Sequence, residues 1–219
     1  MTYLQLINKV LRELREKTVS DLSADYTLLI GQFVNEAKTK VEQAWNWPAL
    51  RTDISFNTVS GTQDYLLATT TQQSKLVYDT AGAPAVYITT DGHQSQLVEV
   101  GGEEHRKWIA YNQMSNARPS TFSTLRNTSG MTLSIYPKPD AVYAIQATVY
   151  IPQDELSVAS TVLSVPADPV WQLALVYAAS ERGAGQTESI PVLQARADAS
   201  LWAAITEESE DGELTFYEE

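Results

Sequence analysis

His93 and His105 are the only imidazoles in the chain, and no ligand spacing joins them. A helical metal site uses pairs such as His-x-x-x-His, and none is present. His93 follows Asp91-Gly92 in a turn pattern, and His105 begins a short helical pattern, so both read as surface or capping residues. Asp64, Asp79, Asp91, Glu99 and Glu103 are scattered through a strand-rich stretch. Two of them could approach the spacing of a glycosidase pair. Every β domain exposes acids, however, and no nucleophile–base set accompanies these. Gly183-Ala184-Gly185-Gln186 lacks the third glycine and the preceding strand of a dinucleotide loop. The P-loop and Gly-x-Ser-x-Gly patterns are absent. The absence of cysteine excludes disulfides, thiolate metal sites and cysteine nucleophiles, and fits a reducing compartment. The expectation is no enzyme: no catalytic residue, no cofactor and no metal.

The tryptophans are the other residues with a choice of roles. Trp45, Trp108, Trp171 and Trp202 fall on apolar faces, which favours packing in a core. Trp47 sits beside a helix stop. It either pins the junction between two structural regions or anchors another subunit. Trp45, Trp47 and Arg51 are therefore candidate junction or inter-subunit residues.

What positions these residues is a helical frame split around a β insert. Leu4, Ile7, Val10, Leu11 and Leu14 predict a first amphipathic helix. Ser20-Asp21-Leu22-Ser23 breaks it and offers N-cap oxygens to a second. Tyr26, Leu29, Ile30, Phe33, Val34, Ala37, Val41, Ala44 and Trp45 recur at three- and four-residue steps, predicting a helix of about six turns. It stops at Trp45-Asn46-Trp47-Pro48, because proline disfavours helical geometry in the residue before it.

From Arg51 to Tyr150 short alternating runs predict strands. These are Ile54 with Phe56, Tyr65-Leu66-Leu67, Lys75 to Tyr78, Val86-Tyr87-Ile88, Gln96 to Val100, Thr121 to Leu125, Met131 to Tyr136, and Val142 to Ile151. Ser60-Gly61, Ala81-Gly82-Ala83-Pro84 and Asp91-Gly92 supply turns. Glu103 to Tyr111 predicts a short helix with Trp108 and Ile109 as its apolar face. Such spacing suggests an antiparallel sandwich or small barrel. Helical periodicity returns at Pro166-Ala167-Asp168-Pro169, with Asp168 as N-cap and Pro169 at the first helical position. Leu173, Val176, Tyr177 and Ala178 form its face, and Gly183 and Gly185 end it. Ile190 to Thr206 predicts the last helix, with Val192, Leu193, Ala197, Leu201, Trp202 and Ile205 buried. The fold class is α+β. Residues 1–50 and 167–206 form a discontinuous helical bundle, 51–166 a β-rich insert, and 207–219 an acidic tail.

Length and charge bound the function. A chain of 219 residues fits one large domain or two small ones. No apolar run approaches the roughly 20 residues that span a bilayer, and the first residues lack a signal-peptide pattern. A formal net charge of -12 argues against a protein that grips phosphates, which needs clustered Lys and Arg. The tail holds Glu207, Glu208, Glu210, Asp211, Glu213, Glu218 and Glu219 with no base among them. It reads either as a solvated end or as a docking strand.

Four pieces of the chain carry a family resemblance. A short helix and a long one end in Ala44-Trp45-Asn46-Trp47-Pro48-Ala49-Leu50-Arg51. Gly61-Thr62-Gln63-Asp64-Tyr65-Leu66 follows the first strand. Leu133-Ser134-Ile135-Tyr136-Pro137-Lys138-Pro139-Asp140 precedes Tyr143 and Tyr150-Ile151-Pro152, and Pro166 runs through Ala179-Ser180-Glu181-Arg182-Gly183. In this order they resemble the head-to-tail adaptor (connector) proteins of tailed phages, the group that includes tail tubular protein A.

The resemblance implies a structural virion protein of the neck or tail, made in the host cytoplasm. Such adaptors form a ring, usually dodecameric, beneath the portal protein. The ring receives the tail nozzle or tube, and DNA passes through its lumen without specific binding. Family members dock a C-terminal segment on the portal, which points to Leu214, Phe216, Tyr217 and Glu218 here. The main rival is a β-sandwich carbohydrate- or receptor-binding virion module, with Tyr65, Tyr78, Tyr87 and Tyr136 as an aromatic platform.

Overall fold

The computed structural model describes residues 1–68, 74–78, 82–90, 94–111, 116–127, 130–181 and 190–210. His93, Asp79, Asp91, Gly183, Gly185 and the docking candidates Leu214, Phe216, Tyr217 and Glu218 lie outside the described residues. The chain divides into two compact units. One is Met1–Leu50 with Glu155–Glu219, and the other is Arg51–Asp154.

The first unit is helical. Helix α1 spans Tyr3–Glu13, and Thr2 caps it by accepting from the Gln5 N–H while the Gln5 side chain accepts from the Thr2 N–H. Helix α2 spans Asp25–Ala44. Its N-cap is Ala24, without a side-chain bond. Asp21 accepts from the Ser23 N–H and hydroxyl in its own turn, so the expected N-cap oxygens are spent locally. The buried face of α2 is Thr27, Ile30, Gly31, Val34, Ala37, Lys38, Val41 and Glu42, whereas Leu29 and Ala44, expected inside, are exposed. The face is turned toward both α1 and α4, and it carries a buried ion pair. Lys38 Nζ lies 3.2 and 3.3 Å from the two oxygens of Glu42, one turn on.

Helix α4 (Ala167–Glu181) is the hub. It packs against α1, α2 and α5 (Ile190–Glu210), which joins the opening and closing stretches of the chain into one scaffold. Three neighbours require apolar residues on nearly every side, and Val170, Trp171, Ala174, Leu175, Val176 and Ala178 are all buried. Asp168 lies within the first turn rather than capping it. Its carboxylate accepts from Trp171 Nε1 at 2.8 Å and from Lys9 Nζ at 3.1 Å. Lys9 of α1 and Arg196 of α5 both lie over the Trp171 ring, at 4.2 and 5.4 Å from its centroid.

The boundary with the second unit falls at Asp154, not at 166 as the sequence suggests. Residues 155–166 are held by the helices through backbone bonds. Tyr3 N–H donates to Thr161 O at 2.9 Å, and Leu163 N–H donates to Met1 O at 3.0 Å. Asn35 of α2 also brackets Leu156, accepting from its N–H and donating to its carbonyl.

The second unit is a sandwich of two sheets. Its strands are β1 (Arg51–Asn57), β2 (Asp64–Ala68), β3 (Lys75–Leu76), β4 (Val86–Ile88), β5 (Ser95–Gln96), β6 (Val98–Glu99), β7 (Thr121–Asn127), β8 (Gly130–Tyr136) and β9 (Ala144–Tyr150). One sheet has the order β1-β9-β4-β5 with β3 also on β9, and the other β2-β8-β7-β6. Alternation sets the inner faces. Val86, Ile88, Ile145, Ala147 and Val149 from one sheet and Phe122, Met131, Leu133 and Ile135 from the other form a single core. The sheets do not close into a barrel. On one side Phe56 of β1 stacks on Tyr65 of β2, with centroids 4.9 Å apart. On the other, residues 95–99 pass from the first sheet to the second, with Leu97 buried at the crossing. That crossing makes β6 parallel to β7, a departure from the expected antiparallel pattern.

Candidate functional site

Helix α3 (Gly102–Tyr111) packs against β7. His105 is its fully buried residue, only 2% exposed, which corrects the surface reading from sequence. Trp108 is half-buried and Ile109 exposed, so the predicted apolar face is displaced toward the histidine. Polarity on the outer face of the sheet explains the change. Ser134 of β8 lies opposite Asp64 of β2 and Ser123 of β7. The Ser134 hydroxyl donates to Asp64 Oδ1 at 2.6 Å, and His105 Nε2 lies 3.2 Å from Ser134 Oγ. Burial lowers the pKa of His105 below its ordinary 6.5, and the Asp64 charge opposes this.

The three residue types match a hydrolytic triad, but their order does not. A triad places histidine between serine and carboxylate, so that the imidazole removes the serine proton. Here serine stands in the middle and its proton is directed at Asp64. Ser134 is itself buried, so a substrate cannot reach it. The arrangement is a packing contact between helix and sheet.

The other described acids are similarly occupied. Glu99 accepts from the Tyr78 hydroxyl at 2.7 Å and from Thr124 at 3.4 Å. Burial, then the Glu99 hydrogen bond, pushes the Tyr78 phenol up to about 12. Glu103 pairs with Arg106 at 3.3 Å. Among the described residues no group of three His, Asp or Glu side chains could hold a metal ion.

The tyrosines proposed as a platform do not share a face. Tyr65 lies opposite Leu133, on the inner side, and bonds to the Thr62 carbonyl. Tyr136 lies beneath His105 and Trp108 on the outer side of the same sheet. Tyr87 alternates with buried Val86 and Ile88 on the other sheet.

The helical unit carries the more telling surface. Leu193, Ala197, Ala204 and Ile205 of α5 are buried. Val192 and Trp202, expected beside them, point the opposite way, and Trp202 is 62% exposed. Val192, Ala195, Ala199 and Trp202 recur at three- and four-residue steps and all are exposed. A solvent-facing helix stripe is ordinarily charged, and this one holds no charge. Periodicity alone merged the two faces, because α5 is apolar on both.

Trp45 is half-buried and follows α2 in an extended conformation. Trp47 is buried within the helical unit, its Nε1 donating to Val41 O at 2.6 Å. Arg51 is exposed at the start of β1. Helix α5 continues to Glu210, so the first four residues of the expected tail are helical. Among the described residues no helix is long and apolar enough to cross a membrane.

The family model described as SU10 adaptor protein matches residues 1–213 of the chain. No curated protein matches it.

Proposed function

We propose, from the premise that the chain belongs to the SU10 adaptor protein family, that copies of it form a ring that joins the portal to the tail nozzle or tube. The chain is a phage structural adaptor of the virion neck. The ring, its partners and its duct are our reading. Membership over nearly the whole length carries it, with both helical stretches and the β insert included. The outer stripe of α5 supports self-association. An exposed tryptophan at the end of an uncharged helix face is the kind of anchor that dominates protein interfaces. A ring needs head-to-tail contacts between unlike patches, so the stripe meets a different face of the next copy.

The portal contact is assigned to the end of the chain. Leu214, Phe216 and Tyr217 lie among acids in the sequence, and an apolar strand there adds to a portal edge while Glu218 and its neighbours steer the encounter. Trp45 and Arg51 remain candidates for contacts between copies. The -12 charge suits a duct, since acids repel the DNA backbone and let it slide.

Sedimentation of the full chain, with and without Trp202→Glu, tests the ring surface in the presence of portal. The variant should stay folded and fail to form the ring. A ring that assembles unchanged removes α5 from the interface. Removing residues 211–219 tests the docking end separately, because it leaves α5 whole. Portal binding should be lost, and full binding would refute that assignment.

A further inference from the structure

His105 has a role to explain beyond packing, because it is the only fully buried side chain that anchors α3. The hydrogen positions around it follow from the partners. Asp64, when ionised, can only accept, so the hydrogen of the Ser134 hydroxyl points at Asp64. Ser134 Oγ then faces His105 as an acceptor, and also receives Gln63 Nε2 at 3.4 Å. The imidazole must therefore carry its hydrogen on Nε2. That leaves Nδ1 as a bare lone pair, buried and without a hydrogen-bond partner among the described residues.

A neutral ring suits this place. A protonated ring would present Nδ1–H to a buried space with no acceptor among the described residues, which is costly. Of the surrounding groups, Asp64 from β2 favours the charged form, while Tyr136 from β8 and Ser123 from β7 bring no charge. On α3 itself Glu103 and Arg106 pair with each other, and Glu104 and Lys107 are exposed. Water can reach Nδ1 only if the helix lifts. Little else resists, since Trp108 is only half-buried.

We propose that His105 is a pH-sensitive latch that holds α3 on the four-stranded sheet while neutral and releases it on protonation. Hydrogen exchange of residues 102–111 in the full chain tests this, with rates at pH 7.5 and 5.5 corrected for intrinsic exchange. A freed imidazole with its ordinary value of 6.5 limits the loss of protection to about tenfold over that interval. The expected result is a loss approaching that limit in α3, with β8 and β9 unchanged. H105Q keeps an N–H donor for Ser134 and cannot titrate, so its protection should be the same at both values. Equal protection of the wild type at both values, or a loss retained in H105Q, overturns the latch. D64N supplies an independent reading. It keeps an acceptor for Ser134 but removes the charge that stabilises a protonated ring on the sheet, so the loss of protection between pH 7.5 and 5.5 should be at least as large as in the wild type, and a smaller loss also overturns the latch.

Discussion

The indole of Trp47 donates to the carbonyl oxygen of Val41 at 2.6 Å, across the end of α2. The last four carbonyls of a helix have no partner within it. A side chain from just beyond the helix supplies one here, where Pro48 prevents a further helical turn. This buried contact, together with the 3-10 turn Pro48–Leu50, closes the helical unit before β1 begins.

Trp47→Phe keeps most of the ring and loses the hydrogen bond. It should cost about 1 kcal/mol. Trp47→Ala also opens a cavity and should cost about 3–5 kcal/mol. Urea unfolding followed by circular dichroism separates the two. A Trp47→Phe protein as stable as the wild type would show that the hydrogen bond contributes nothing.

Lys38 and Glu42 form an ion pair from which water is nearly excluded, with side chains 0% and 2% exposed. Removing one charge leaves the other buried without that partner. Lys38→Met should cost about 3–5 kcal/mol, and adding Glu42→Leu should restore much of the loss. A double variant as unstable as the single one would mean that the pair is held for its packing.

Gly31 of α2 lies against the Tyr3 side chain of α1. A Cβ there would overlap Tyr3 Oη and come within 3.1 Å of Tyr3 Cζ. Alanine is ordinarily better than glycine inside a helix by about 1 kcal/mol. Gly31→Ala should nevertheless destabilise by about 1–3 kcal/mol through overpacking. Tyr3→Phe removes the colliding oxygen and should recover part of the loss in the double variant. A more stable Gly31→Ala protein by thermal melting would contradict this.

The Trp171 hydrogen bond, then Lys9, hold the Asp168 carboxyl below its ordinary 3.8. A lowered carboxylate stabilises the fold above the unfolded value, and the contribution fades as pH falls below 3.8 through the folded value. The side chain is 69% exposed, so solvent screens the ion pair and the effect stays below about 1 kcal/mol. Asp168→Asn should therefore flatten stability against pH only below that point. A difference in slope between pH 5 and 7 would assign it to another group.

Legibility followed the number of partners each element has. The long strands of the sandwich alternate, so β8 was readable from Met131 to Tyr136 and β9 within the run from Val142 to Ile151. Helix α1 has one dominant apolar face and was equally plain. Helix α5 was not, because Trp202 shares its apolar character with the buried Ile205 and periodicity cannot say which face is covered. The boundary at Asp154 was hidden for another reason. Residues 155–166 have no periodic pattern, and their hydrogen bonds to Met1, α1 and α2, with Leu156, Leu163 and Val165 buried, assign them to the helices. His105 read as a surface residue because nothing local in sequence announces Ser134 and Asp64 beside it.

The adaptor reading is tested most directly by mixing the full chain with purified portal rings of the same virus and imaging the mixture by electron microscopy. The account predicts a second ring of density on one end of the portal, with a continuous central opening. Portal particles that remain bare, in the presence of folded protein, would contradict it.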